Sequence, residues 1–176
     1  MTADQAASAE LPRPGAYRVD PKRSTVAFTG RHLFGLGAVH ATFTISSGLL
    51  HVTDPVTAST AEVTVDASSF RSNRSRRDKD VRSRMLLDAA TYPEIVFVSE
   101  RLRRDGAGWL LTGTVTAHGT RVPVEVHIDH VAAQDDGIGV HARAEHIDRY
   151  AFGVTRGKGM AGRFLDLDFN VVADPA

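Results

Sequence analysis

The chain has 176 residues, 21 basic and 21 acidic side chains, and no cysteine. That length fits one domain with a sizeable core, and a formal net charge of zero creates no global field toward nucleic acid or an anionic membrane. Without cysteine there are no disulfides, no thiolate metal sites and no cysteine nucleophile, a composition compatible with the cytosol.

Residues 1–15, MTADQAASAELPRPG, are rich in Ala, Ser and Pro and poor in large apolar groups. They are expected to form a flexible extension ahead of a single domain over residues 16–174. They lack the basic stretch and apolar core of a secretory signal. No apolar run approaches the roughly 18–20 residues of a membrane helix. A cytoplasmic protein without an integral membrane segment is the expectation.

From Ser24 onward, apolar residues recur at every second position, as on a strand with unlike faces. Val26 and Phe28 come first, then Val39, Ala41, Phe43 and Ile45, then Ala61, Val63 and Val65. Later runs are Val122, Val124, Val126 and Ile128, and finally Leu165, Leu167, Phe169 and Val171. Turn signals separate them: Ser47-Gly48, Asp54-Pro55, Asp105-Gly106, His118-Gly119 and Asp135-Asp136-Gly137. About eight strands with short turns imply an all-β antiparallel meander. Closing it into a barrel removes its edges, and a barrel of that size can enclose one small ligand, as lipocalins do. Pro123 inside a strand pattern points to a bulge or a place at the barrel rim.

Residues 74–90 break the rhythm. Val81, Met85 and Asp88 or Ala89 fall at helical spacing, Ser75 is placed to cap the start, and Pro93 ends the segment. One short helix near the barrel mouth is expected. Seven of the fourteen residues 71–84 are Arg or Lys. Such a run is an ordinary solvated helix face, with Asp78 and Arg82 supporting the helix at i,i+4, or else a cationic lip for a ligand head.

Catalytic and metal chemistry find little foothold. The eight histidines include no His-x-His pair. His127 and His130, three apart, and His141 and His146, five apart, are expected on opposite strand faces, so no metal is expected. There is no Gly-x-Ser-x-Gly elbow. The glycine-rich stretch FGVTRGKGMAG at 152–162 lies between strands with no helix following, which makes it a loop rather than a phosphate cradle, with Arg156 and Lys158 in reach of a ligand head. Nucleic-acid binding would need a broader basic surface and more aromatic platforms than 7% aromatic content supplies. No catalytic residues are assigned; His118, beside a turn, is the candidate for the alternative of a lipid-modifying enzyme. A further alternative is a ligand-free, stress-related interaction protein with a filled core.

The order of motifs then becomes informative. Tyr17-Arg18-Val19-Asp20, Val39-His40-Ala41-Thr42-Phe43, Arg77-Asp78, Val81-Arg82-Ser83, Tyr92-Pro93-Glu94-Ile95-Val96-Phe97, the run from Gly113 to Thr120, and Arg149 with Phe152-Gly153-Val154 follow one another along the chain. Over about Tyr17 to Ala173 the chain resembles the YceI-like family of polyisoprenoid-binding proteins. The resemblance implies a lipocalin-like barrel that stores or transports a long-chain amphiphilic lipid, a polyisoprenoid or isoprenoid quinone, without chemistry. Asp80 departs from the family, which commonly has His there; it disfavours a pyrophosphate head unless neighbouring arginines neutralise it. Ala41 and Leu86 replace the usual Gly and Phe.

The expected apolar wall is Phe28, Phe43, Val63, Val65, Phe97, Val115, Val124, Val126, Val140, Leu167 and Phe169. Ile95 and Trp109 lie on strands apolar on both faces. Arg77, Arg82 and Arg149 are the head-group candidates. The expected partner is an amphiphilic lipid, with no nucleic acid, no metal and no cofactor beyond the lipid itself; a homodimer is compatible.

Overall fold

The computed structural model describes residues 11–32, 37–158 and 161–176. Residues 1–10 of the expected extension, and 159–160 of the glycine-rich stretch, lie outside them. Nine strands alternate with short connections: β1 Gly15–Val19, β2 Thr25–His32, β3 Gly37–Val52, β4 Thr60–Arg71, β5 Glu94–Asp105, β6 Gly108–Ala117, β7 Thr120–Gln134, β8 Gly137–Asp148 and β9 Phe164–Pro175. Each strand from β2 to β9 pairs antiparallel with the next. β2 also pairs with β9, Val26 opposite Phe169 and Phe28 opposite Leu167, which closes the sheet. β1 pairs with the far ends of β3 and β9, Gly15 opposite Val52 and Val19 opposite Ala173, and so extends the line of β2. The result is a closed antiparallel barrel of eight staves. The turn between β1 and β2 is pinned by Ser24, whose Oγ accepts from Val172 N at 2.9 Å, and by Arg23, which bridges Asp20 and Asp174.

Bulges decide which residues face inward. Ser47-Gly48, expected as a turn, instead lies within the 16-residue β3, where the register to β4 shifts between Ile45 and Ser47. The extra residue turns the inward set from Phe43 and Ile45 to Gly48, Leu50 and Val52. Gly48 is needed for close approach: a Cβ there would stand 2.6 Å from Val19 Cγ2. β7 shifts between Ile128 and His130, and β8 between Ala144 and Ile147. Asp129 and His130 are consequently both exposed, as are Glu145 and His146. This corrects the expectation that the His127–His130 and His141–His146 spacings point to opposite faces.

The helix is shorter than expected. α1 is Ser75–Arg82, preceded by Arg74 in extended conformation, so Ser75 is the first helical residue and not the cap. Ser83 ends it: its Oγ donates to Asp80 O at 2.7 Å and accepts from Met85 N at 3.2 Å, so its side chain takes up local backbone groups. The chain to Tyr92 continues as turns. α1 is clamped onto the end of β4. Buried Asp78 accepts from Ser72 N at 2.8 Å and Ser72 Oγ at 2.6 Å, and Arg82 Nε donates to Phe70 O at 3.0 Å.

Pro123 lies opposite Thr114 in regular β6–β7 register, whereas pairing with β8 begins only at His127. The first half of β7 thus has one paired side, a place that tolerates a residue without an N–H. A 3-10 helix, Arg149–Phe152, packs beside it, and buried Phe152 and Val154 help form the inner wall. Arg149 fixes this insert. Buried at 8% exposure, it donates from Nε to Gly162 O (2.7 Å), from Nη1 to Val154 O (2.7 Å) and Arg156 O (2.8 Å), and from Nη2 to Ala161 O (2.9 Å). Burial pulls its guanidinium below its ordinary pKa, while Tyr150 and Asp148 oppose that shift.

A lysine cannot reproduce this fork of donors. Arg149→Lys should lower unfolding free energy by about 2–4 kcal/mol and speed amide exchange across residues 150–162. Denaturant melts and hydrogen exchange check this, and wild-type values for both would contradict the keystone role.

Candidate functional site: an apolar cavity along the barrel

Alternation on closed staves gathers one face of every strand around the axis. A cavity of about 810 Å³ occupies that interior, within the range that holds small-molecule ligands. It extends from α1 at one end to Leu11, Pro12, Val56 and Thr60 at the other. Phe28, Phe43, Val63, Val65, Phe97, Val115, Val124, Val126, Val140, Leu167 and Phe169 all line it, as do Ile95 and Trp109. Phe97 lies across Gly113, where a Cβ would stand 2.7 Å from its ring.

Several wall residues were not legible by simple alternation. Phe70 is 1% exposed and packs edge-on against Phe28 and Phe43, at ring-centroid distances of 5.5 and 5.3 Å. It lies within the irregular stretch between Asp66 and Arg71 of the β3–β4 pairing. Phe152 and Val154 come from the insert after β8. Leu102 and Leu111 form an apolar cluster with Val126, Ala142 and Ala144.

The titratable side chains on the cavity wall among the described residues are His51, Arg74, Arg76, Arg77, Asp80 and Arg149. His51 belongs to the end of β3; the others belong to α1, its lead-in and the insert. The middle of the cavity is lined by apolar groups. The three sequence-predicted arginines therefore differ in circumstance. Arg149 spends its donors on four backbone carbonyls, and Arg82 donates to Phe70 O and stands 3.8 Å from Asp78. Arg77 is half-buried and has no hydrogen bond or ion pair among the described residues. With Arg74, His40, Asn73 and Ala38 it also lines a second, smaller pocket, so Arg74 and Arg77 border both spaces.

His118 and His141 make their contacts away from the cavity wall. His118, with positive φ in the β6–β7 turn, places Nδ1 3.2 Å from Phe152 O and packs on the Tyr92 ring at 4.9 Å. It is not among the cavity-lining residues. On the outer face, His141 stands between Asp129 at 3.3 Å and Asp168 at 3.0 Å. Arg143 holds Asp129 through two hydrogen bonds, which keeps that carboxyl below the usual carboxylate range. No group of three or more His, Asp or Glu among the described residues is arranged to hold a metal ion, and no described helix is long and apolar enough to cross a membrane.

Known proteins share this architecture. A UPF0312 protein of Vibrio parahaemolyticus is 32% identical over 124 residues, covering 68% of this chain and 65% of that protein's length. The chain thus spans about two thirds of that relative. Protein YceI of Escherichia coli is 27% identical over 161 residues, covering 90% of this chain and 77% of its own. The crystal structure of BcnA from Burkholderia cenocepacia superposes with a TM-score of 0.78 at 23% identity, over 88% of this chain and 98% of that one. A polyisoprenoid binding domain from Saccharophagus degradans, implicated in plant cell wall breakdown, gives 0.69 at 14% identity, over 93% and 100%. Residues 17–173 match the YceI-like domain, and with this closed barrel around an apolar interior the chain belongs to the YceI-like family.

Proposed function

We propose that the protein binds a long-chain amphiphilic lipid, a polyisoprenoid or isoprenoid quinone, with its tail in the barrel and no chemistry performed on it. The observation that carries this is the continuous apolar cavity whose titratable groups belong to its end segments. Each methylene moved from water to such a wall contributes roughly 0.8 kcal/mol. A few isoprene units thus supply on the order of 10 kcal/mol gross, before the cost of ordering the ligand. The polyisoprenoid-binding domain that shares the fold supports the same ligand class. The absence of chemistry is supported by His118, whose ring meets Phe152 O and Tyr92 and is not among the cavity-lining residues. A cytoplasmic place, a homodimer and no cofactor beyond the lipid complete this proposal.

Arg77, with Arg74, His40 and Asn73 around the adjoining pocket, is the proposed head-group contact. Two arginines favour a phosphate-bearing head, and exposed Asp80 tempers that preference. Native mass spectrometry of gently purified protein should reveal a co-purifying lipid; protein that stays empty and takes up no isoprenoid would overturn the carrier reading. Arg74→Gln/Arg77→Gln should weaken binding of farnesyl diphosphate by about tenfold or more, from loss of charge-assisted contacts. Farnesol binding should stay within about twofold, since the apolar wall supplies it. Equal losses for both ligands would place the head group elsewhere.

A further inference from the structure

We infer that the α1 end of the barrel docks on a bilayer containing anionic phospholipids, presenting the cavity to the membrane. This rests on the lipid-binding reading above and adds where the lipid is exchanged.

Charge is the first observation. The chain is neutral overall, yet residues 71–84 carry seven cations against Asp78 and Asp80. Asp78 is 4% exposed and already engaged by Ser72 and Arg82, so it adds little to the surface. Arg71, Arg74, Arg76, Lys79 and Arg84 are exposed and make no ion pair among the described residues. Arg23, Arg143 and Arg163 each sit against a carboxylate, whereas exposed Arg101, Arg103 and Arg104 near the far end of β5 make no ion pair among the described residues. These last three arginines share the opposite end with Asp54, Asp105, Asp135 and Asp136 of its connections, which offset them, whereas at the α1 end only exposed Asp80 stands against the free cations. An anionic surface therefore distinguishes the two ends of the barrel.

An apolar shoulder is the second observation. Met85, directly after this basic segment, is 51% exposed and also lines the cavity, with Leu86 and Leu87 beside it. Cations flanking an exposed apolar side chain combine the two signals that peripheral membrane binding requires. An acidic protein could meet the charge alone. A bilayer also accounts for an apolar surface continuous with the cavity wall, because a long tail can then pass from membrane to barrel without crossing water.

The test uses full-length protein and sucrose-loaded vesicles of phosphatidylcholine, with or without phosphatidylglycerol. Wild type should sediment with the mixed vesicles far more than with neutral ones. Each cation near such a surface is worth about fivefold in affinity, so Lys79→Glu/Arg84→Glu should weaken binding by more than about tenfold. Its lipid content by native mass spectrometry should match wild type. Because the chain has no cysteine, Met85→Cys and Ala107→Cys each give one site for a polarity-sensitive dye, at opposite ends. The dye at 85 should shift to the blue on mixed vesicles and the dye at 107 should not. No preference for anionic vesicles, undiminished binding by the double variant, or equal dye shifts at both ends would each overturn the docking proposal. An empty barrel would instead count against the carrier reading, whatever the vesicles show.

Discussion

The pairing of β2 with β9 is the constraint on which the rest of the structure depends. Once Val26 lies opposite Phe169 and Phe28 opposite Leu167, every stave has two neighbours and the sheet acquires an inside. The inside must then be apolar, because an unpartnered polar group there would lose water without compensation. Strand alternation delivers that condition for most of the circumference. What closure does not dictate is whether the interior is filled. Here small side chains such as Val63, Val65, Val115, Val124 and Val126 line much of the wall, and a space of about 810 Å³ remains between them.

Closure is incomplete at one place, and the repair shapes the functional end. β7 and β8 pair only from His127 onward, so the start of β7 needs another partner. The Arg149–Phe152 insert supplies it, with Phe152 and Val154 turned toward the cavity and Arg149 gathering four carbonyls of the following loop. Across the same end, α1 is held to β4 by Asp78 and Arg82. Thus two of the three conspicuous arginines are consumed in building the mouth. Arg77, with Arg74, is left bordering both the apolar cavity and the small polar pocket.

Much of this was legible in the sequence because period-two alternation is a direct consequence of strand geometry. The apolar positions of β2, β3, β7 and β9 were read from it, and so were the two-residue turns at His118-Gly119 and Asp135-Asp136. The strand misreadings share one cause. A bulge adds a residue without any compositional mark, so Ser47-Gly48 looked like a turn, and both histidine pairs were placed on opposite faces. Phe70 was missed for a related reason, lying within the irregular stretch of β4 between Asp66 and Arg71. The helix was overestimated because Met85, Leu86 and Leu87 continue its apolar spacing, whereas Ser83 ends it through hydrogen bonds of its own side chain. Arginine identity was visible from sequence, but not that the donors of Arg149 and Arg82 go to backbone carbonyls.

The central claim is that the barrel interior is space for a ligand and not a solid core, and Val126→Trp tests it most directly. In an open cavity the larger ring is accommodated, so stability should stay within about 1 kcal/mol of wild type while isoprenoid capacity falls. In a filled core the same change is overpacking and costs about 1–3 kcal/mol or more. Denaturant melts of lipid-free protein, paired with isoprenoid titrations, read both quantities. Near-native stability with reduced uptake is the predicted result; strong destabilisation, or unchanged uptake, would contradict the account.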